Sequence, residues 1–394
     1  MGQVKVIRVL VSVSIMLYCA LTVPRAEIEL GGYYENTLQI GYSQDSDETI
    51  VDASKLQLDI HAGESDGEWA FRGDVNFIEY HTGATYNVDL LLPDDVAEQM
   101  RTKGIPAVVA FERRGVYLDN AFFTWNHGDV RLRAGKQQLN WGSGYSINPT
   151  DLFHRKMMID PGYEKEGVAA LRLDYRWGLG GQLALITAPS EDFASTGYAL
   201  RVGTHIKAIG YDLVLTVHQV IDSTSVDPDS LRPRHQDRTA LGLDFSGGFL
   251  GMGIWSEGNY NFMEAEDDFL RVVAGVDYTF CSGHYVMLEG LLNTRAERRN
   301  PYPLHDWMAY LLYAEPVGPG WVTFGLRQDL SALTSASLYV FGSPDASFTI
   351  NPRIDVSVAQ NADLTIYGVA TAGKEDGAFH PGFYCILIRA TVYF

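Results

Sequence analysis

The chain is 394 residues long and contains 39 glycines, 12% aromatic residues and only 20% charged residues. This composition excludes a disordered chain, which would be poor in aromatic residues, and a coiled coil, which would be rich in charge. The formal charge is −19, and because residues 1–26 hold three basic and no acidic residues, the remaining chain carries −22. A body this acidic excludes nucleic acid as a partner, since phosphate binding requires clustered Lys and Arg.

Residues 1–26 have the pattern of an export signal. Lys5 and Arg8 precede an apolar run that begins at Val9, and the small residue Ala26 follows it. This order predicts a secretory signal peptide that is removed, with the cleavage position left open. An uncleaved membrane anchor is the alternative, but the apolar run is shorter than the roughly 18 residues that a spanning helix requires.

The rest of the chain lacks the sequence patterns of membrane helices, metal sites and haem attachment. No later segment reaches the length of a membrane-spanning helix. Only Cys281 and Cys385 follow the signal, too few for a disulfide framework and too isolated for a zinc or iron–sulfur site. The ten histidines have no H-x-x-x-H spacing, and no C-x-x-C-H motif occurs. We therefore predict that this chain itself binds neither a metal nor a cofactor.

Beyond the signal, the sequence repeats a strand and a turn. Apolar and polar residues alternate in segments of about ten residues, as where Leu171 and Leu173 alternate with Arg172 and Asp174. A period of two is typical of β-strands with one apolar face. The predicted strands are 30–43, 51–62, 68–80, 116–126, 130–140, 168–177, 181–188, 197–207, 211–221, 238–246, 250–258, 269–280, 285–294, 321–330, 335–341, 348–359, 364–372 and 383–394.

The connections between these strands differ in length at the two ends. Tight turns such as 127–129 alternate with gaps that are mostly long, whereas a soluble sandwich would have similar connections at both ends. Short turns at one end and long loops at the other are typical of an outer-membrane barrel, as is an even number of strands. We therefore place Trp307–Tyr313, apolar enough to be a further strand, in a long loop as a short helix or rim segment. The long gaps are 81–115, 141–167, 222–237 and 295–320.

The predicted fold is all-β: a transmembrane antiparallel up-and-down β-barrel of about 18 strands. Its last strand ends on Phe394, which resembles the assembly signal that directs barrels to the barrel-assembly machinery. Aromatic residues near strand ends are predicted to form interfacial girdles, for example Tyr33, Tyr34, Phe77, Tyr80, Trp321 and Phe324.

Eighteen strands enclose a lumen too wide for side chains alone to fill. Charged residues on inward faces could pair with neighbours in a packed interior, but we predict that they line water. These pore-lining candidates are Asp59, Asp74, Arg131, Arg133, Arg172, Asp174, Arg176, Arg201, Asp244, Asp277, Glu289, Arg327, Asp329, Arg353, Asp355 and Arg389.

Within the long gap 81–115, residues 93–104 predict a short helix. Pro93 and two acidic residues stand at its start, basic residues near its end, and Gly104 just beyond. Such a helix either folds inward and narrows the pore or covers the rim, and the sequence leaves both open.

The most distinctive motif occupies residues 135–153, which read GKQQLNWGSGYSINPTDLF. Its glycines predict a sharp exit from the fifth strand, Asn148-Pro149 predicts a turn, and Asp151 predicts an acceptor for backbone donors. The segment resembles the G-[RK]-Q…W-G-x-G…N-P-x-D-x-F motif of a family of porin-like outer-membrane barrels. We interpret it as a structural anchor of the loop rather than a binding site. The matching positions are Gly135, Lys136, Gln137, Trp141, Gly142, Gly144, Asn148, Pro149, Asp151 and Phe153.

The resemblance implies one of two functions. Members of the family are porin-like barrels, and relatives sheath multihaem cytochromes in electron conduits. The preferred prediction is a water-filled channel for small solutes or ions. The alternative is a scaffold whose lumen holds a multihaem c-type cytochrome. Ser143 lacks the G-x-S-x-G frame of a hydrolase nucleophile, so we predict no enzyme.

The predicted organisation is thus a signal peptide at residues 1–26 and a barrel over residues 27–394. The predicted location is the outer membrane of a Gram-negative bacterium, with membrane lipid and the assembly machinery as partners.

Overall fold

The structure is a computed structural model. It describes residues 27–43, 46–64, 66–82, 85–88, 92–106, 108–110, 112–154, 166–178, 180–190, 193, 195–207, 210–296, 301–379 and 382–394. The predicted signal peptide, residues 1–26, lies outside the described residues.

Strands dominate the structure, and two short helices lie in loops. In chain order the elements are β1 (Ile28–Ser43), β2 (Ser46–Ala62), β3 (Trp69–Thr82), β4 (Thr85–Asn87), α1 (Asp94–Thr102), β5 (Val108–Ala110), β6 (Arg114–His127), β7 (Val130–Gln137), β8 (Val168–Trp177), β9 (Gly181–Ala188), β10 (Gly197–Ile206), β11 (Tyr211–Val226), β12 (Pro233–Phe249), β13 (Met252–Met263), β14 (Phe269–Thr279), β15 (Tyr285–Asn293), α2 (Leu304–Tyr313), β16 (Gly320–Ser331), β17 (Thr334–Gly342), β18 (Phe348–Ala359), β19 (Ala362–Ala372) and β20 (Phe383–Tyr393).

Eighteen of these strands form one closed antiparallel sheet. β3 pairs with β6, because β4 and β5 lie outside this sheet. Each of the remaining barrel strands pairs with the strand that follows it in the chain, and β1 pairs with β20 to close the barrel. At the closure Leu38 lies opposite Ile388. The prediction of an antiparallel barrel with 18 strands is confirmed.

The two faces of the barrel differ as the alternation predicts. Outward side chains are apolar and about half exposed, for instance Leu215, Leu243 and Ile386. Inward neighbours such as Thr216 and Asp244 are polar and buried. No helix in the described parts of the chain is both long and apolar enough to cross a membrane.

The segment 222–237 differs from its prediction as a long loop. β11 continues to Val226 and β12 begins at Pro233, so the loop is reduced to 227–232. The inward residues of this extension, Asp222 and Thr224, are polar and buried. Polar residues of this kind are typical of loops, so the predicted end of this strand, residue 221, comes too early in the sequence.

The predicted girdle also divides between the two faces. Tyr34, Phe77 and Phe324 are exposed on the outside of the barrel. Tyr33 and Tyr80 instead line the lumen. Trp321 is buried on the inward face of β16, near Glu289 on the adjacent strand β15. For these three the girdle prediction is wrong, because the strand register turns them inward.

Both predicted loop helices are present. α1 lies in the loop between β3 and β6, and α2 includes all of Trp307–Tyr313. Val96 and Met100 of α1 belong to one buried apolar cluster with Trp307 of α2. The strands β4 and β5, which pair with each other in the same loop as α1, were not predicted.

Candidate functional site

The lumen is crossed by the loop that carries the sequence motif. Residues 138–154 leave β7 and bind the wall at β13 and β15, which lie six and eight strands further round the barrel. The loop therefore lies across the lumen instead of standing above the rim.

Two wall carboxylates hold this loop through its backbone. Glu257 accepts hydrogen bonds from the N–H groups of Ser143 (2.9 Å) and Thr150 (2.7 Å) and from the Thr150 hydroxyl (2.6 Å). Glu289 accepts from the N–H groups of Tyr145 (2.6 Å) and Ser146 (2.7 Å). Successive backbone N–H groups form a concave site for an anion, and several such bonds compensate a carboxylate for burial.

The glycines of the W-G-x-G segment are required by this contact. Gly142 has a φ of +92°, and a Cβ there would overlap the Glu257 carboxylate. A Cβ at Gly144 would overlap the carbonyl oxygen of Ile147. Only residues without a side chain allow the loop backbone to approach Glu257 this closely.

The remaining motif residues shape the loop. Asn148 donates from Nδ2 to the Trp141 carbonyl (2.8 Å), and Asp151 accepts from the N–H of His154 (3.1 Å). Trp141 is buried, with its ring centroid 6.4 Å from that of Phe153. Pro149 contributes its carbonyl oxygen, which accepts from Asn259 Nδ2 (2.5 Å).

The start of the motif fastens the end of β7. Gly135 has a φ of +127°, and Gln137 donates from Nε2 to the Ala170 carbonyl (3.0 Å). Lys136 donates to the Leu118 carbonyl (2.7 Å) and forms an ion pair with Glu166. The ammonium group of a lysine can donate to these two separate acceptors, whereas arginine would present a planar guanidinium group with fixed donor directions.

The opposite side of the lumen stays open. A cavity of about 1140 Å³ follows the wall formed by β16–β20, β1–β3 and β6. Tyr33 and Tyr80 lie on it beside charged groups of both signs. No residue of α1 lines it. Its charged lining residues are Glu35, Lys55, Asp119, Glu166, Arg327, Asp329, Arg353, Asp355, Asp363 and Arg389.

An arginine and an aspartate two positions apart recur on the inward faces. Because side chains two apart on a strand share a face, such residues can pair along the strand. Arg353 and Asp355 are 2.8 Å apart, and Asp355 also accepts from the Thr365 hydroxyl (2.7 Å). Arg172 and Asp174 are 2.7 Å apart. These pairs neutralise part of the charge on the inward faces. The same spacing joins Arg72 to Asp74 and Arg327 to Asp329.

The structure separates the sixteen pore-lining candidates into three groups. Asp74, Asp244 and Glu289 are buried under protein and do not face water: Ser143 donates to Asp244, and Asn120 to Asp74. This differs from the predicted water lining, because the motif loop and neighbouring side chains cover these carboxylates. The second group of candidates lies on the wall of the large cavity: Arg327, Asp329, Arg353, Asp355 and Arg389. The third group lies elsewhere on the barrel wall: Asp59, Arg131, Arg133, Arg172, Asp174, Arg176, Arg201 and Asp277.

Glu257 is the site residue that the sequence analysis missed. It lies on the inward face of β13 and is completely buried. The alternating pattern of β13 could have identified this residue, because Glu257 lies two positions before Asn259 and both side chains face inward. Among the described residues, no group of three His, Cys, Asp or Glu side chains could hold a metal ion.

Comparisons with known proteins reveal similarity of fold. No protein-family model matches the sequence, and no curated protein matches it. OccAB1 of Acinetobacter baumannii has a TM-score of 0.61 at 9% identity, covering 93% of this chain and 96% of that chain. OpdK of Pseudomonas aeruginosa, solved with vanillate, has a TM-score of 0.60 at 8% identity, covering 93% of this chain and 98% of that chain. At such identity the likeness establishes the barrel fold alone, and the motif-based resemblance stays a prediction.

Proposed function

We propose that this chain is an outer-membrane channel that passes small hydrophilic solutes or ions and is narrowed by residues 138–154. The observation that carries the proposal is the fixed loop across the lumen beside an open, charged cavity of about 1140 Å³. An apolar outside and a polar inside suit a barrel in lipid with water in its lumen. The similar barrel OpdK was solved with vanillate, a small molecule.

Conductance tests the channel directly. The purified barrel in a planar lipid bilayer should conduct ions. A variant in which a short Gly-Ser linker replaces residues 141–149 should conduct more, because the wall carboxylates lose the loop that they hold. A folded barrel that does not conduct in either form would refute the proposal.

Labelling of intact cells tests the location and the orientation. Asp267 lies in the connection 264–268, and Asp129 lies in the tight turn at 128–129 at the opposite end of the strands. On a Cys281→Ser background, which removes the exposed native thiol, a membrane-impermeant maleimide should modify Asp267→Cys only. Modification of Asp129→Cys alone would invert the barrel, and modification of neither would contradict surface exposure.

The scaffold alternative has no observation in its favour. A cytochrome in the lumen would compete for the space that residues 138–154 occupy. Purification in mild detergent followed by haem staining tests it, and a stained partner that lowers conductance would replace the channel proposal. An enzymatic role also lacks support, since the Ser143 hydroxyl donates to Asp244 (2.6 Å) and not to a histidine.

A further inference from the structure

The outer surface of the barrel carries a polar patch on β1–β3 and β6. Alternate residues of these strands, such as Glu35, Ala53 and Tyr80, line the lumen, so the residues between them point outwards. The outward residues Leu58 and Phe77 are apolar and exposed, as expected of a band that faces lipid. The polar patch comprises the outward side chains of Asn36, Asp52, Ser54, Glu79, His81 and Arg114.

Part of this patch lies inside the apolar band and not beyond its edge. On β2, Asp52 is followed by the outward residue Leu58 and preceded by the outward residue Ile50, and both of these apolar side chains are exposed. On β1, Asn36 lies between the exposed outward residues Tyr34 and Ile40. Lipid offers polar groups no hydrogen bonds, and a charge on the lipid face of a barrel is unfavourable. We therefore expect something other than lipid to cover the patch.

Hydrogen bonds within the patch use only part of its bonding capacity. Asn36 donates from Nδ2 to Asp52 Oδ1 (3.0 Å). Arg114, whose side chain is 79% exposed, donates from Nε to Glu79 Oε1 (2.8 Å), and its Nη2 is 2.6 Å from the same oxygen. A guanidinium group has five N–H donors, and a carboxylate has about four acceptor positions. Asp52 and Arg114 can therefore each bind a further partner of opposite charge.

The positions of Asp52 and Arg114 make the patch complementary to itself. Asp52 lies on β2 and Arg114 on β6, and these two strands flank β3. Contacts across a two-fold axis are reciprocal, so an axis along the membrane normal near β3 would set each of these residues against the other one in a second copy. A lipid phosphate would instead bring a negative charge to the carboxylates of Asp52 and Glu79, which repel it. The charges thus favour a second copy over lipid.

We propose that the outward face of β1–β3 and β6 is an interface with a second copy of this chain, in which Asp52 of each copy pairs with Arg114 of the other. Opposite charges across an interface fix its register and exclude other arrangements. The inference goes beyond the proposed channel. It rests on the proposed location in a membrane and does not require conductance.

Charge reversal in two differently tagged, co-expressed copies tests the pairing. Asp52→Arg would set two like-charged pairs against each other in its own dimer, and so would Arg114→Asp, so each variant alone should weaken association roughly tenfold or more. Co-expression of Asp52→Arg with Arg114→Asp restores both pairs of opposite charge and should recover a dimer. Asp237→Arg, at an exposed outward position of β12, is the control and should associate as wild type does. Heat-modifiability on gels verifies that each variant barrel is folded.

Cross-linking tests the two-fold geometry without changing a charge. On a Cys281→Ser background, Phe77→Cys lies on the outward face of β3, next to the proposed axis. Oxidation with copper-phenanthroline in isolated membranes should therefore link Phe77→Cys copies into dimers. Leu288→Cys, at an exposed outward position of β15, is the control and should stay unlinked.

Light scattering of the wild-type barrel in mild detergent should give the mass of two chains, and the mass of one chain or of three would overturn the inference. Failure of folded Asp52→Arg and Arg114→Asp barrels to associate with each other would also overturn it, as would equal cross-linking of Phe77→Cys and Leu288→Cys. A conducting monomer would refute this interface alone, whereas a dimer that does not conduct would refute the channel alone.

Discussion

The carboxylate of Glu257 accepts a backbone hydrogen bond from Gly144 at 2.9 Å. Residues 138–154 contain no Lys or Arg, so N–H groups and hydroxyls, not side-chain cations, compensate this buried charge. The barrel wall thereby fixes the position of the loop, and the loop sets the free cross-section of the lumen.

Removing the charge of Glu257 should release the loop. In Glu257→Gln the amide NH₂ would face N–H donors of the loop, so we expect a loss of about 2–4 kcal/mol in unfolding free energy and a larger, noisier conductance. Denaturant unfolding and single-channel recording measure both. Glu68→Gln, at an exposed position between β2 and β3, is the control and should leave both quantities unchanged. Wild-type current in Glu257→Gln would contradict the role of the contact.

The glycines of the motif should tolerate no side chain. Gly142→Ala and Gly144→Ala place a Cβ against the Glu257 carboxylate or the Ile147 carbonyl, so each should cost about 1–3 kcal/mol of stability. Gly290→Ala is the matched control, because no atom lies within 4 Å of the Cβ that would be added there. Equal stability of all three variants would show that the loop is not held as described.

The barrel could be predicted from sequence because each strand carries its own signal. In β8 the alternation of Leu171 and Leu173 with Arg172 and Asp174 fixes both faces without knowledge of a partner strand. The loop helix α2 was also identified, since the even strand number left Trp307–Tyr313 without a place in the sheet.

The course of the motif loop could not be predicted in this way. Its contacts join residues that are more than a hundred positions apart, as Gly144 and Glu257 are. Alternation identifies Glu289 as inward, but it cannot reveal that Tyr145 and Ser146 cover it. The spacing of pairs such as Arg353 with Asp355 is visible in the sequence, but the predicted pore lining counts their members as separate charges.

The open cavity should favour cations moderately. Its lining has four basic and six acidic side chains, most of them paired. The excess of acid attracts cations, and the nearby guanidinium groups limit the effect. Reversal potentials in a salt gradient measure this preference. Glu35→Gln, which removes a carboxylate that pairs with Arg389, should shift the preference towards anions, whereas Glu68→Gln should not. Strong anion selectivity of the wild type at low salt would contradict the assignment of the cavity as the ion path.

Phe394 should matter for assembly. Phe394 exchanges two backbone hydrogen bonds with Gly32, both at 3.1 Å, and the residue is 63% exposed. Deleting it removes a link at the closure of the barrel and the predicted assembly signal, so protein should accumulate in the periplasm. Phe394→Tyr keeps an aromatic end and should assemble. Normal amounts of heat-modifiable deletion variant in the outer membrane would refute the prediction.

Acid should loosen the long loops at one end of the barrel through Asp345. This carboxylate accepts from the Tyr302 hydroxyl (2.9 Å) and from the N–H groups of Ser347 (2.9 Å) and Ala378 (2.8 Å). Burial alone would raise the pKa of Asp345, but the bonds from Ser347, Ala378 and Tyr302 lower it below its ordinary value of 3.8.

A carboxyl whose folded pKa is lowered stabilises the fold above its unfolded pKa and loses that contribution as the pH falls through the folded pKa. Amide exchange of residues 343–347 should therefore be slow at pH 5–7 and its protection should fall below about pH 3.8. Asp345→Asn should show weaker protection at neutral pH and lose most of this acid dependence, while Asp376→Asn in the neighbouring loop should behave as wild type does. An acid transition that persists unchanged in Asp345→Asn would assign it to another group.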